Sequence, residues 1–187
     1  MRKIVAGEFV SLDGVMEAPD QWHFPYFNDE MGEVVGSQMQ DADTMLLGRV
    51  TYEEFAAYWP GKTEDDTPGA NFMNGTPKLV VSTTLDDVSA WENTTLVDKG
   101  DILGNLARLK EQPGKDISIV GSAKLVQSLL EAGLLDELRL LVHPIVVGKG
   151  KKIFGEQNHT TGLELADSRI LSTGVLSLTY RPAQSPA

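Results

Sequence analysis

Short runs rich in Val, Ile and Leu alternate with stretches of helical periodicity along nearly the whole chain, and this alternation constrains the fold more than any single motif. The apolar runs are residues 3–10, 44–47, 78–82, 117–120 and 138–147. Each has the length and composition of a strand buried on both faces. Between them, Met31, Val34, Val35 and Met39 follow one helical face. The same spacing recurs in Tyr52, Phe55, Ala56 and Trp59, in Ile102, Leu103, Leu106 and Leu109, and in Leu125, Val126, Leu129 and Leu130. Strands separated by helices need crossover connections, so a mainly parallel sheet covered on both faces is expected, an α/β fold of three layers. Ile170 and Leu171, then residues 175–180, flank Ser172-Thr173-Gly174 and predict an antiparallel C-terminal hairpin. Pro144 predicts a bend or bulge inside its run. Thr51 with Glu54 has the signature of a capping box at the second helix.

With no repeat and no linker, residues 1–181 are expected to form one domain and 182–187 a disordered tail. The polar stretch 61–76 is expected to be a surface loop. A net charge of −11 argues against nucleic-acid and anionic-membrane partners. The chain has no cysteine, which removes disulfides, thiolate metal sites and cysteine nucleophiles. His23, His143 and His159 are too scattered for a metal-ligand pattern, so no metal is expected, and His143 reads as a satisfied core histidine. No stretch has the form of a signal peptide or a membrane span, and a cytoplasmic protein is expected.

Ligands of such sheets sit at the carboxyl ends of strands, near helix N-termini. Five junctions carry suitable residues. At Gly48-Arg49-Val50-Thr51, Arg49 and Thr51 suit a phosphate, and equally a plain capped helix with a solvated arginine. Val120-Gly121-Ser122-Ala123 offers free amides to a pyrophosphate, or is a turn that needs glycine for itself. Ser82, Thr83 and Thr84 suit a ribose phosphate, or bond their own backbone. Gly148-Lys149-Gly150-Lys151-Lys152 is a basic loop able to steer an anion, or an exposed turn kept soluble by lysines. Asp13-Gly14 is a turn signal, followed by Trp22, Phe24, Tyr26 and Phe27 and then by Asp29 and Glu30. A flat heterocycle stacks well on such aromatics while a carboxylate bonds its ring nitrogens; the same residues also suit a loop packed on the core, with Asp29 and Glu30 favouring a helix dipole.

In this order, Ser11-Leu12-Asp13-Gly14, Gly48-Arg49-Val50-Thr51-Tyr52-Glu53, the run from Lys78 to Leu85, Gly121-Ser122-Ala123 and Pro144 to Gly150 resemble the dihydrofolate reductase superfamily. The bacterial branch related to the riboflavin-biosynthesis (RibD C-terminal) reductase domain is the most similar. The resemblance covers nearly the whole chain. It implies a dihydrofolate-reductase-like fold and an NADPH-dependent oxidoreductase that reduces a small pyrimidine- or pterin-like heterocycle by hydride transfer, with NADH as the alternative cofactor. By the same resemblance Gly48, Arg49 and Thr51 face the cofactor diphosphate region, Ser82, Thr83 and Thr84 its 2′-phosphate side, and Val120, Gly121, Ser122 and Ala123 its pyrophosphate. The loop 12–16, with Gly14, closes over the nicotinamide, and Trp22, Pro25 and Tyr52 line the substrate pocket. That pocket is expected between the loops 16–28 and 61–76. Asp13 is the first candidate for polarising the substrate or relaying a proton, with Asp29 and Glu30 as alternatives. Position 27 is Phe27 where dihydrofolate reductases place a carboxylate, which points away from folate. A true dihydrofolate reductase, and a nucleotide-binding sensor without catalysis, are the other readings. A homodimer through the C-terminal hairpin or the run 138–147 is a further expectation.

Overall fold

The structure, a computed structural model, describes residues 1–155 and 160–183. His159 and positions 184–187 of the tail lie outside the described residues. In chain order the elements are β1 (Ile4–Ser11), α1 (Asp29–Asp41), β2 (Ala42–Gly48), α2 (Arg49–Tyr58), α3 (Ala70–Gly75), β3 (Lys78–Val81), β4 (Thr94–Leu96), α4 (Ile102–Glu111), β5 (Asp116–Ile119), α5 (Ala123–Glu131), β6 (Glu137–His143), β7 (Leu163–Ile170) and β8 (Leu176–Pro182). The strands form one sheet in the order β4-β3-β2-β5-β1-β6-β8-β7. Every pairing from β4 to β6 is parallel, and β8 runs antiparallel to both β6 and β7. This is the expected α/β architecture, a mainly parallel sheet closed by an antiparallel hairpin. The hairpin turns at Ser172-Thr173-Gly174, where Gly174 has φ +83°.

The layers follow from alternation along the strands. In β2, Leu46 joins Ile4, Ala6, Ile117 and Ile119 in the cluster under α4 and α5. Its neighbours Met45 and Leu47 point the other way, to Tyr52, Met73, Val80 and Trp91. A third cluster sets Met31 of α1 against Leu141, Leu171 and Val175. Strand β1 lies at the middle of the sheet, held by β5 on one side and β6 on the other.

Several local expectations change. The stretch 61–76 is not all loop: it contains α3, whose Ala70 and Met73 are buried. Buried Lys78 holds its end, donating from Nζ to the carbonyls of Met73 (3.0 Å) and Thr76 (2.8 Å). Asn74 ties this segment to Trp59, Lys62 and Trp91, and Gly69 lies against Met39. These contacts are with the end of α1, the end of α2 with the residues just after it, and the segment before β4, and none of them involves the loop 16–28. The run 138–147 stops being a strand at His143, because Pro144 cannot continue the ladder. β6 is also paired on both sides, so it offers no edge to a second copy. The edges are β4 and β7. Pro182 closes β8, and the Ala183 amide donates to the Gly162 carbonyl, so the ordered chain reaches past residue 181.

Candidate active site

Two glycine junctions meet on one side of β1. Gly48 ends β2 and caps α2 with ordinary extended backbone and no side-chain bond. A Cβ here would overlap the Ser122 hydroxyl and lie 2.9 Å from the Ser122 Cβ. Gly121 follows β5 with φ +78°, and a Cβ on it would lie 3.1 Å from Thr51. Ser122, the residue before α5, is itself left-handed at φ 72°, ψ 74°, and its hydroxyl makes no capping bond. A serine held there costs on the order of 1 kcal/mol. Two glycines at which a methyl group would press on the facing side chains, beside two helix N-termini whose first amides have no partner within the helix, form a cradle that fits a pyrophosphate.

The helix α2 starts at Arg49, so Thr51 lies inside its first turn and is not the cap of a capping box. Thr51 is buried against Gly121 instead. Arg49 is exposed and pairs with Glu53 one turn on, at 2.8 Å. The Ser82 hydroxyl accepts from the amides of Thr84 (3.1 Å) and Leu85 (2.9 Å). It therefore stabilises its own turn, which leaves Thr83 and Thr84 as the exposed hydroxyls. Val120 and Ala123 flank the Gly121-Ser122 turn and are half-buried.

One residue in this cradle escaped the sequence reading. Glu8 on β1 is 6 % exposed. Its Oε2 accepts from the Gly121 amide at 3.1 Å, and its Oε1 is buried without a partner among the described residues. Burial pushes its carboxyl up to about 8, against the smaller opposing pull of the Gly121 hydrogen bond. The only sequence signal was a carboxylate interrupting an apolar strand.

On the other side of β1 stands an aromatic cluster. His23 stacks on Phe9 at 4.7 Å between ring centres. Trp22 and Tyr26 meet His143 edge-on at 5.2 and 5.7 Å. Trp22 is buried, while Phe24 and Phe27 are exposed and Pro25 lies with Phe24 on the surface turn Phe24–Tyr26. His143 is fully buried, with Nδ1 2.9 Å from the Leu141 carbonyl. Its Nε2 and the Nδ1 of His23 have no partner among the described residues, so His143 is only half satisfied there. Burial lowers the pKa of both rings and favours their neutral forms. Tyr52 is absent from this group: it is buried in the core with Met45, Leu47 and Trp91, which leaves no ring face for a substrate.

The loop 12–16 leaves the end of β1, between the two groups, and is bonded to the segment 145–153. Asp13 anchors it. Its carboxylate accepts from the Ser11 hydroxyl (2.6 Å) and from the amides of Val147 (3.1 Å) and Gly148 (2.9 Å), and these bonds, the Ser11 one foremost, hold its pKa at about 2. A carboxyl so far ionised is a poor proton donor, and the geometry makes Asp13 a tie between two loops. The contact with Gly14 continues the tie, because Ile153 donates to its carbonyl. Glu30 is also engaged. It accepts from the Ser172 amide (2.7 Å) and Arg169 (2.6 Å), which fixes the hairpin turn and lowers its pKa. Asp29 is exposed in the first turn of α1. We expect Asp13→Asn to speed amide exchange at Val147 and Gly148. In the wild type the same bonds, present above the ordinary carboxylate value of 3.8, are lost as pH falls through about 2. Hydrogen exchange of the two amides, unchanged in the variant, would remove Asp13 from this role.

The sequence pattern of the RibD C-terminal domain matches residues 2–177. The chain belongs to the RibD C-terminal domain family. Protein YyaP of Bacillus subtilis (strain 168) is 30% identical over 182 residues, which cover 96% of this chain and 94% of YyaP. Among solved structures, a putative riboflavin biosynthesis protein from Shewanella sp. PV-4 is 22% identical with a TM-score of 0.71, covering 98% of this chain and all of that one. Dihydrofolate reductase from Enterococcus faecalis, solved with NADP(H), is 14% identical with a TM-score of 0.64, covering 97% of each chain. The fold of this family member is thus dihydrofolate-reductase-like. Among the described residues no helix is long and apolar enough to cross a membrane, and no three His, Asp or Glu side chains are grouped to hold a metal ion.

Proposed function

We propose that this RibD C-terminal family protein is a reductase that uses NADPH, with NADH as the alternative, to reduce a small pyrimidine- or pterin-like heterocycle. The observation that carries the reading is the placement of the glycine cradle and the aromatic cluster on opposite sides of β1, with the Asp13-tied loop leaving the end of the same strand. Such a cofactor supplies the hydride; the chain binds, orients and excludes water. Gly48, Gly121, Ser122 and Ala123 hold the pyrophosphate, with Arg49 turned from Glu53 towards it. Thr83 and Thr84 serve the adenosine side. Asp13 sets the loop carrying Gly14 above the nicotinamide. Trp22, His23 and His143 form the substrate wall, where the two unpartnered ring nitrogens suit the polar edge of a heterocycle. A similar fold supports the cofactor class, since it was solved with NADP(H).

The test is a fluorescence titration with NADPH and NADH, followed by turnover over a panel of pterins and pyrimidines. Binding in the micromolar range with turnover of one panel member is expected. No binding of either nucleotide up to millimolar concentration would end this reading, and tight binding with no turnover would favour a sensor.

A further inference from the structure

Beneath the glycine cradle lies an acid that the proposed chemistry does not use. Glu8 points from the central strand to the face covered by α5, and its Oε2 holds the Gly121 amide. Its Oε1 is buried and has no partner among the described residues. Directly above are the two consecutive left-handed residues, Gly121 at φ +78° and Ser122 at φ +72°, that lead into the nine-residue helix α5. An anion at this helix N-terminus is favoured by the helix dipole. Glu8, when ionised, is such an anion, built into the chain and placed where an incoming phosphate would sit above it. Both cannot be charged there without repulsion, and the burial of Glu8 leaves little water to screen it.

We propose that binding of an anionic dinucleotide to the Gly121-Ser122 turn is coupled to protonation of Glu8, so that the cradle accepts the pyrophosphate only over the neutral acid. This rests on the nicotinamide-nucleotide reading above. Glu8 acts through the Gly121 amide and is a positioning residue, not a catalytic one. The free protein is ready for this at neutral pH, since burial holds the Glu8 proton up to about pH 8.

The other charged groups around it are occupied or turned away. On α5, Lys124 is exposed. On α2, Arg49 and Glu53 pair with each other. Leu140 is the β6 register partner of Glu8, and the adjacent Arg139 is bound to Glu137. In the neighbouring loop, Asp13 is held by Val147 and Gly148, and Glu17 lies beside Lys151. β5 brings Asp116 only at its opposite end. The rise at Glu8 has burial as its cause, opposed by the Gly121 amide, with no charged partner in it.

The experiment measures NADPH affinity of the whole protein from about pH 7 to 9.5, for the wild type and Glu8→Gln. NADPH has no group that titrates across the upper part of that range, its phosphate having lost its last proton near pH 6. In the wild type the affinity is expected to fall above pH 8, approaching tenfold per unit, and in Glu8→Gln to stay flat. Calorimetry at pH 9 in two buffers of different ionisation enthalpy should show the wild type taking up close to one proton on binding. That measurement needs no variant, so it decides the matter even if Glu8→Gln fails to fold. Binding with no proton uptake at pH 9, or equal pH profiles for the two proteins, overturns the coupling and leaves the cofactor reading intact. Failure of both NADPH and NADH to bind at any pH overturns both.

Discussion

Glu8→Gln should be increasingly more stable, relative to the wild type, as pH rises. The carboxyl ordinarily loses its proton near 4.5, and in the folded chain it keeps it up to about 8. Between those values the unfolded chain has fewer protons bound than the native one, so native stability contributed at this site falls with rising pH. The fall is about 1.4 kcal/mol per pH unit, hence roughly 3 kcal/mol from pH 4.5 to pH 7. It levels off above pH 8, where both states are ionised. Gln keeps the shape and an acceptor for the Gly121 amide but has no proton to lose. Denaturant unfolding of both proteins at several pH values isolates the effect, because all other groups titrate alike in the two. The stability difference should widen by roughly 3 kcal/mol over that interval. Parallel profiles would mean that Glu8 is ionised in the native state. A chain that retains an acid at this cost, where a neutral residue would be more stable, has the stability–function conflict expected at a working site.

The second large effect is expected from Gly48→Ala. The backbone at Gly48 is ordinary, so alanine meets no conformational penalty there. The penalty is steric: the new methyl group overlaps the Ser122 side chain. Overpacking of this kind costs about 1–3 kcal/mol, and here it displaces the turn that forms the cradle. NADPH affinity should fall by roughly tenfold or more, a loss of about 1.4 kcal/mol. The diagnostic is rescue. Ser122→Gly removes the colliding side chain and relieves a left-handed serine, which recovers on the order of 1 kcal/mol by itself. In the double variant both stability and NADPH binding should return close to the wild-type values, giving a large coupling between positions 48 and 122. Additive effects would show that the two junctions do not share a site. Stability rescued without binding would show that they pack together but do not hold the cofactor.

The central sheet was legible because burial on both faces leaves a continuous apolar run, as in β1, β2, β3, β5 and β6. β7 was not. It is exposed along nearly its whole length, with Leu165 at 54 % and Ile170 at 76 %, and its charged residues give no apolar alternation to detect. β4 is a three-residue edge strand rich in threonine and too short for a period. The site was legible as junctions, because glycines and hydroxyls recur where strands end. The work of each residue was not. Asp13 and Glu30 look free in the sequence, but the amides they bind belong to positions more than 130 residues away. Tyr52 shares the helical face of Phe55 and Trp59, and only the third dimension shows that this face is turned to the core. Glu8 needed both the register of β1 beside β5 and the position of the Gly121 amide before its burial had meaning.

The place of β1 in the sheet also has a consequence in time. This strand is made before the rest of the sheet, yet both of its partners, β5 at Asp116–Ile119 and β6 at Glu137–His143, come from the far half of the chain. Until then its apolar residues Ile4, Val5, Ala6 and Val10, all buried in the finished protein, have no native neighbour in the sheet. Closing such long loops is slow, and an unpaired apolar strand is open to wrong partners while it waits. The growing chain is therefore most vulnerable to aggregation before β6 is made, and the centre of the sheet is among the last parts to be completed.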